Sequence, residues 1–186
     1  MRQIAEKEDS VLPEDSDMRN SKVRKTALSG IMIAVAVVGS IFSFPVLGSR
    51  CAPVQHLVNI ICAIFLGPWY AVAVAFLASL IRVMTGLGSM LAFPGSMFGA
   101  LLSGLLYKKF KKIPLAVIGE VVGTSILGGL CAYPISILIM GNDAGEVAFY
   151  AYIVPFLIST AGGAAIASVV LLMLHGTGVI RRFNRE

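Results

Sequence analysis

Six apolar runs, separated by charged stretches or by Gly/Pro breaks, occupy most of this 186-residue chain. They extend from about Ala27 to Phe44, Val54 to Leu66, Trp69 to Val83, Pro94 to Tyr107, Ile113 to Met140 and Ala151 to Leu174. A bilayer core about 30 Å thick is crossed by roughly 20 helical residues rising ~1.5 Å each. The first run therefore spans only with help from its flanks. Charged residues make up 13% of the chain against about 25% in soluble proteins. With a mean hydropathy of +0.86, the chain reads as an integral membrane protein.

The basic residues set the expected orientation. Lys22, Arg24 and Lys25, then Lys108, Lys109, Lys111 and Lys112, then Arg181, Arg182 and Arg185 all fall on one side if the chain crosses six times. The positive-inside rule makes that side cytoplasmic. The expected fold is an all-α membrane bundle of six transmembrane helices in the cell membrane, with both termini cytoplasmic. Residues 1–21 read as a disordered tail, 22–175 as the membrane domain and 176–186 as a basic tail. The late first run does not fit a signal peptide. The net charge of +5 lies beside the spans, not on a separate polar domain, so nucleic acid is not an expected partner.

Polar chemistry concentrates at Phe44 to Tyr70. There Gln55 and Asn59 stand four residues apart, sharing one helical face with His56 beside them. Polar groups at a span's mouth face a bundle interior or a watery cavity, or they cross-link helices by hydrogen bonds. The topology places Arg82, Ser96, Tyr133 and Ser159 toward the same external end, an expected outward-facing ligand pocket. Glu120 sits deeper in the fifth run, where a lone charge costs about 3 kcal/mol or more, so it needs a proton, hydrogen bonds or a partner. On the first run Ala27, Gly30 and Ala34 form a small-residue face suited to close approach by another helix.

Enzymatic motifs are missing. No G-x-x-x-x-G-K-[ST] loop exists, so ATP-driven transport would need another subunit; no H-E-x-x-H exists. Ser29 and Ser103 each precede a glycine but lack the first glycine of an intramembrane serine protease motif. The three cysteines, Cys51, Cys62 and Cys131, show no metal-ligand spacing.

The six-span plan, the Leu66-Gly67-Pro68-Trp69-Tyr70 turn and the Gly104-Leu105-Leu106-Tyr107-Lys108-Lys109 ending resemble substrate-binding S components of energy-coupling factor (ECF) transporters. More narrowly, Pro53 to Asn59 (PVQHLVN), Ala92 to Ala100 (AFPGSMFGA), Gly119 to Thr124 (GEVVGT) and Ala132-Tyr133-Pro134 are similar to the ThiW family. The resemblance implies uptake of hydroxyethylthiazole, the thiazole precursor of thiamine. It implies partners as well: a transmembrane coupling subunit meeting Ala27, Gly30 and Ala34, and two cytoplasmic ATPase subunits that use the ATP, with no cofactor in this chain. The expected substrate-binding residues are Gln55, His56, Asn59, Arg82, Ser96, Glu120, Tyr133 and Ser159. The alternative is a stand-alone or proton-coupled small-solute carrier that titrates Glu120.

Overall fold

Prolines open the helices and positive-φ residues close them. The computed structural model describes residues 12–46, 49–143, 145 and 147–180, with side chains from Met18 onward. Helix α1 spans Leu12–Gly39, about 42 Å at ~1.5 Å per residue. It runs through a short 3-10 turn, Ser40–Phe42, into an antiparallel hairpin of β1 (Phe44–Val46) and β2 (Ser49–Cys51). Helix α2 (Pro53–Phe65) starts on a proline. It stops before Gly67, whose φ of 87° turns the chain into α3 (Pro68–Met84). A loop containing Gly86 leads to α4 (Ala92–Phe110), and Ile113-Pro114 opens α5 (Ile113–Val122). The same rod continues through a π-helical segment, Gly123–Gly128, into α6 (Gly129–Leu138). Helix α7 (Ile153–Gly176) comes last.

The six apolar runs thus become six rods, with α5, the π segment and α6 forming the fifth. Met18–Phe42, Ile113–Leu138 and Ile153–Gly176 are long and apolar enough to cross a membrane, and Pro53–Phe65 and Pro68–Met84 are shorter apolar helices. The outer surface is apolar: Phe42, Trp69, Leu138, Leu172 and Met173 are all exposed. Gln55, Asn59, Glu120 and Thr160 are buried instead. An apolar exterior around a polar interior is the arrangement of a multi-pass membrane protein.

Small residues decide how closely the rods approach. The stripe Gly95, Gly99 and Ser103 on α4 faces the fifth rod. A Cβ on Gly128 would lie 2.6 Å from the Gly95 Cα, one on Gly123 2.9 Å from the Gly99 Cα, and one on Gly119 2.8 Å from the Ser103 Cα. Such contacts draw two backbones together where lipid supplies no hydrophobic drive. On α7, a Cβ at Gly163 would clash with the Pro53 carbonyl and with His56, so α7 presses directly on α2. The first helix divides its small residues between two sides. Ala36 and Ser40 are buried against the bundle, whereas Ala27, Gly30 and Ala34 face outward with nothing within 4 Å of a Cβ placed on Gly30.

Lys25, the α2–α3 turn and Lys108 and Lys111 at the end of α4 gather at one end of the bundle. The hairpin, the start of α2, the end of α3 and the start of α4 meet at the other. Residues 12–21, expected as part of a tail, belong to α1. Residues 1–11, and Arg181, Arg182 and Arg185, lie outside the described residues. Between the first two apolar runs, Phe44–Val46 pairs with Ser49–Cys51, with Pro45 opposite Arg50.

Candidate functional site

The hairpin roofs a cavity lined from six directions. Ser49, Arg50 and Ala52 come from the hairpin and its exit, Gln55 and His56 from α2, and Arg82 from the end of α3. Ser89 to Ser96 contribute from the loop and α4, Thr124 from the π segment, and Phe156 and Ser159 from α7. At 13 residues α2 covers only about 20 Å, so the non-helical chain above it can sit within membrane depth. Such backbone is tolerated there when it lines a cavity and finds hydrogen-bond partners. The hairpin finds them on α7: the Ala52 N–H donates to Ser159 Oγ at 2.9 Å, and the Cys51 thiol donates to the Pro155 carbonyl at 3.3 Å.

Below the cavity a continuous hydrogen-bond network converges on Glu120. Its Oε1 accepts from Asn59 Nδ2 at 2.8 Å and from Thr124 Oγ1 at 3.3 Å, and it meets His56 Nδ1 at 2.9 Å. The other face of the His56 ring, Nε2, lies 3.1 Å from Ser159 Oγ. Because Ser159 already accepts from Ala52, its own proton is free for Nε2, which leaves the His56 Nδ1–H to donate to Glu120. Asn59 also donates to the Ser96 carbonyl at 3.1 Å and accepts from Gln55 Nε2 at 3.2 Å. Gln55 Oε1 in turn accepts from Arg82 Nη1 at 3.3 Å. The chain of contacts therefore runs from Arg82 through Gln55 and Asn59 to Glu120, and from Ser159 through His56 to the same carboxyl. Glu120 Oε2 and Arg82 Nε are buried without a partner among the described residues.

The close α4 contact explains how Glu120 reaches this position. A side chain at Gly99 would strike Thr124 Oγ1 and come within 2.8 Å of the Glu120 carboxyl. The π segment begins three residues after Glu120, and such wide turns occur often at functional sites.

A family model described as thiamine-precursor transporter protein (ThiW) matches residues 26–177. The chain belongs to the ThiW family. This is a transporter family and not an enzyme family. No curated protein and no solved structure matches the chain.

Within this ThiW chain, Gln55, His56, Arg82, Ser96 and Ser159 line the cavity together. Asn59 and Glu120 lie immediately beneath, fully buried, and act on the lining through hydrogen bonds. Tyr133 does not join them: it is half-buried on α6 and absent from the cavity lining. The aromatic ring that does line it is Phe156, which sequence reasoning did not single out. Its signal was its position three residues before Ser159, on the same face of α7. Arg50, Ser89 and Thr124 are further members, the last placed four residues from Glu120.

Proposed function

We propose that this chain is the substrate-capturing subunit of an ATP-driven importer of the thiazole precursor of thiamine, residing in the cytoplasmic membrane. The observation that carries this reading is the polar cavity under the hairpin, within a chain whose family transports thiamine precursors. The cavity end faces outward and the lysine-rich end faces the cytoplasm by the positive-inside rule, with six crossings and both termini inside. The ring of hydroxyethylthiazole packs against Phe156, while Gln55, Ser96 and Ser159 supply hydrogen bonds to its hydroxyl and ring nitrogen.

Affinity limits how open the bound site can be. A ligand of about nine heavy atoms, at a ceiling near −1.5 kcal/mol per atom, gains no more than roughly −13 kcal/mol. Nanomolar affinity, about −12 kcal/mol, therefore requires almost complete burial. The free core of the cavity is about 30 Å³, room for one or two waters. The ligand thus enters by displacing the hairpin or the 85–91 loop, and their return buries it.

The chain contains no nucleotide-binding loop, so energy comes from partners: a transmembrane coupling subunit and two cytoplasmic ATPases, as in ECF transporters. The outward face of Ala27, Gly30 and Ala34 is the docking surface for the coupling subunit. A second reading, a proton-coupled carrier, is favoured by one feature, the unpartnered Glu120 Oε2 next to His56. Vesicles containing this chain alone separate the two. The importer reading predicts binding without accumulation, whereas accumulation driven by a proton gradient and lost in Glu120→Gln supports the carrier.

A further inference from the structure

Arg82 is 2% exposed and lines the cavity, yet its Nη1 donates to a neutral amide oxygen, that of Gln55. Its Nε has no acceptor among the described residues. Arg50, on the hairpin above, lines the same cavity and donates to another neutral group, the Gly86 carbonyl at 3.1 Å. No aspartate or glutamate belongs to the cavity lining among the described residues. The nearby carboxyl, Glu120, is bonded through Oε1 to His56, Asn59 and Thr124. Two guanidinium groups therefore face one small cavity with no counter-charge in its wall. A buried cation without a compensating anion is costly. A guanidinium presents a planar fork of donors that fits a carboxylate or phosphate in bidentate fashion.

We infer that the ligand of this cavity carries a negative group, a phosphate monoester or carboxylate on a small heteroaromatic ring, and that Arg82 and Arg50 hold it. This rests on the cavity being the substrate site and narrows the substrate class from a neutral alcohol to an anion. The apolar ring lies against Phe156 and Leu91, and the oxyanion sits between the two arginines with Ser49 and Ser89 as further donors. A cationic thiazolium such as intact thiamine would add a third positive charge and is disfavoured.

The test is equilibrium binding to the purified full chain in nanodiscs of zwitterionic lipid. The probes are hydroxyethylthiazole, its phosphate monoester, thiamine and inorganic phosphate. The ester is expected to bind at least tenfold tighter than the alcohol, with thiamine weakest. Arg82→Gln should remove the ester's advantage, read as the ratio of ester to alcohol affinity in the same variant, and Arg82→Lys should restore part of it. Arg50→Gln reports on the same advantage from the hairpin, where the variant leaves the bundle interior intact. Equal or tighter binding of the alcohol by the wild type overturns the inference while leaving the precursor-binding function standing. Failure of every thiazole to bind overturns both. Loss of the ester's advantage on adding anionic lipid would assign the arginines to a lipid headgroup and overturn the soluble-anion assignment.

Discussion

His56 Nδ1 and Glu120 Oε1 lie 2.9 Å apart in the interior, joining α2 to α5 across 64 positions of sequence. Both residues are buried, and Glu120 also gathers Asn59 and Thr124, so one carboxyl oxygen ties together α2, α5 and the π segment. Removing the carboxyl leaves three donors unsatisfied, at about 1–3 kcal/mol each. Glu120→Ala should therefore lower the thermal unfolding midpoint of the purified protein by many degrees. Glu120→Gln, which keeps an acceptor oxygen, should lower it much less. Equal midpoints for Glu120→Ala and wild type would contradict the network.

The glycines divide into those that packing requires and those it leaves free. Gly99→Val must push Thr124 and Glu120 aside, and a cost of several kcal/mol follows from overpacking a tight contact. Gly30→Leu meets nothing within 4 Å and should leave folding and ligand binding unchanged. It should instead prevent co-purification with the proposed coupling subunit. Normal assembly of Gly30→Leu with that subunit would move the docking surface elsewhere.

Phe156 and Tyr133 should behave oppositely. Phe156→Ala removes the ring that lines the cavity and should weaken binding of the thiazole ligand at least tenfold, about 1.4 kcal/mol. Tyr133→Ala should leave affinity within threefold of wild type. Titration of both variants checks the pair.

The Cys51 thiol offers a probe of cavity opening. Burial raises its pKa above the ordinary thiol value, while hydrogen bonding with Ser159 works in the opposite direction. The thiolate is the reactive form, so a raised pKa leaves less of it at neutral pH, and labelling should accelerate only as the pH rises past the ordinary thiol range. Maleimide modification of Cys51 in a variant lacking Cys62 and Cys131 should be slow at pH 7 and slower still with ligand bound. Rapid labelling at pH 7, unaffected by ligand, would show that the hairpin does not close the site.

Much of this arrangement was legible because membrane helices announce their ends. Gly67-Pro68 and the lysine cluster of 108–112 marked the rods, and the four-residue step of Gln55/Asn59 marked an inward face. The strands escaped detection because three residues show no alternation that a membrane-edge sequence would not also show. Phe156 was hidden because one more aromatic in an apolar run carries no signal of its own. Tyr133 was placed by its depth along the fifth rod, and depth does not fix the face a side chain takes. A π turn takes in an extra residue, so side chains after Gly128 are rotated about the rod's axis relative to a straight α-helix. Sequence periodicity alone could not reveal that shift.

The central claim is that the cavity beneath the hairpin is where the transported precursor binds. Ala92 lines that cavity at the start of α4, so Ala92→Phe adds bulk there while changing neither residue of the His56–Glu120 pair. Calorimetric titration of the purified wild type and Ala92→Phe with hydroxyethylthiazole and its phosphate ester tests the claim directly, with thermal unfolding as the control for folding. The account predicts binding by the wild type and at least a hundredfold loss in a normally folded Ala92→Phe. Unchanged affinity in that variant would contradict it.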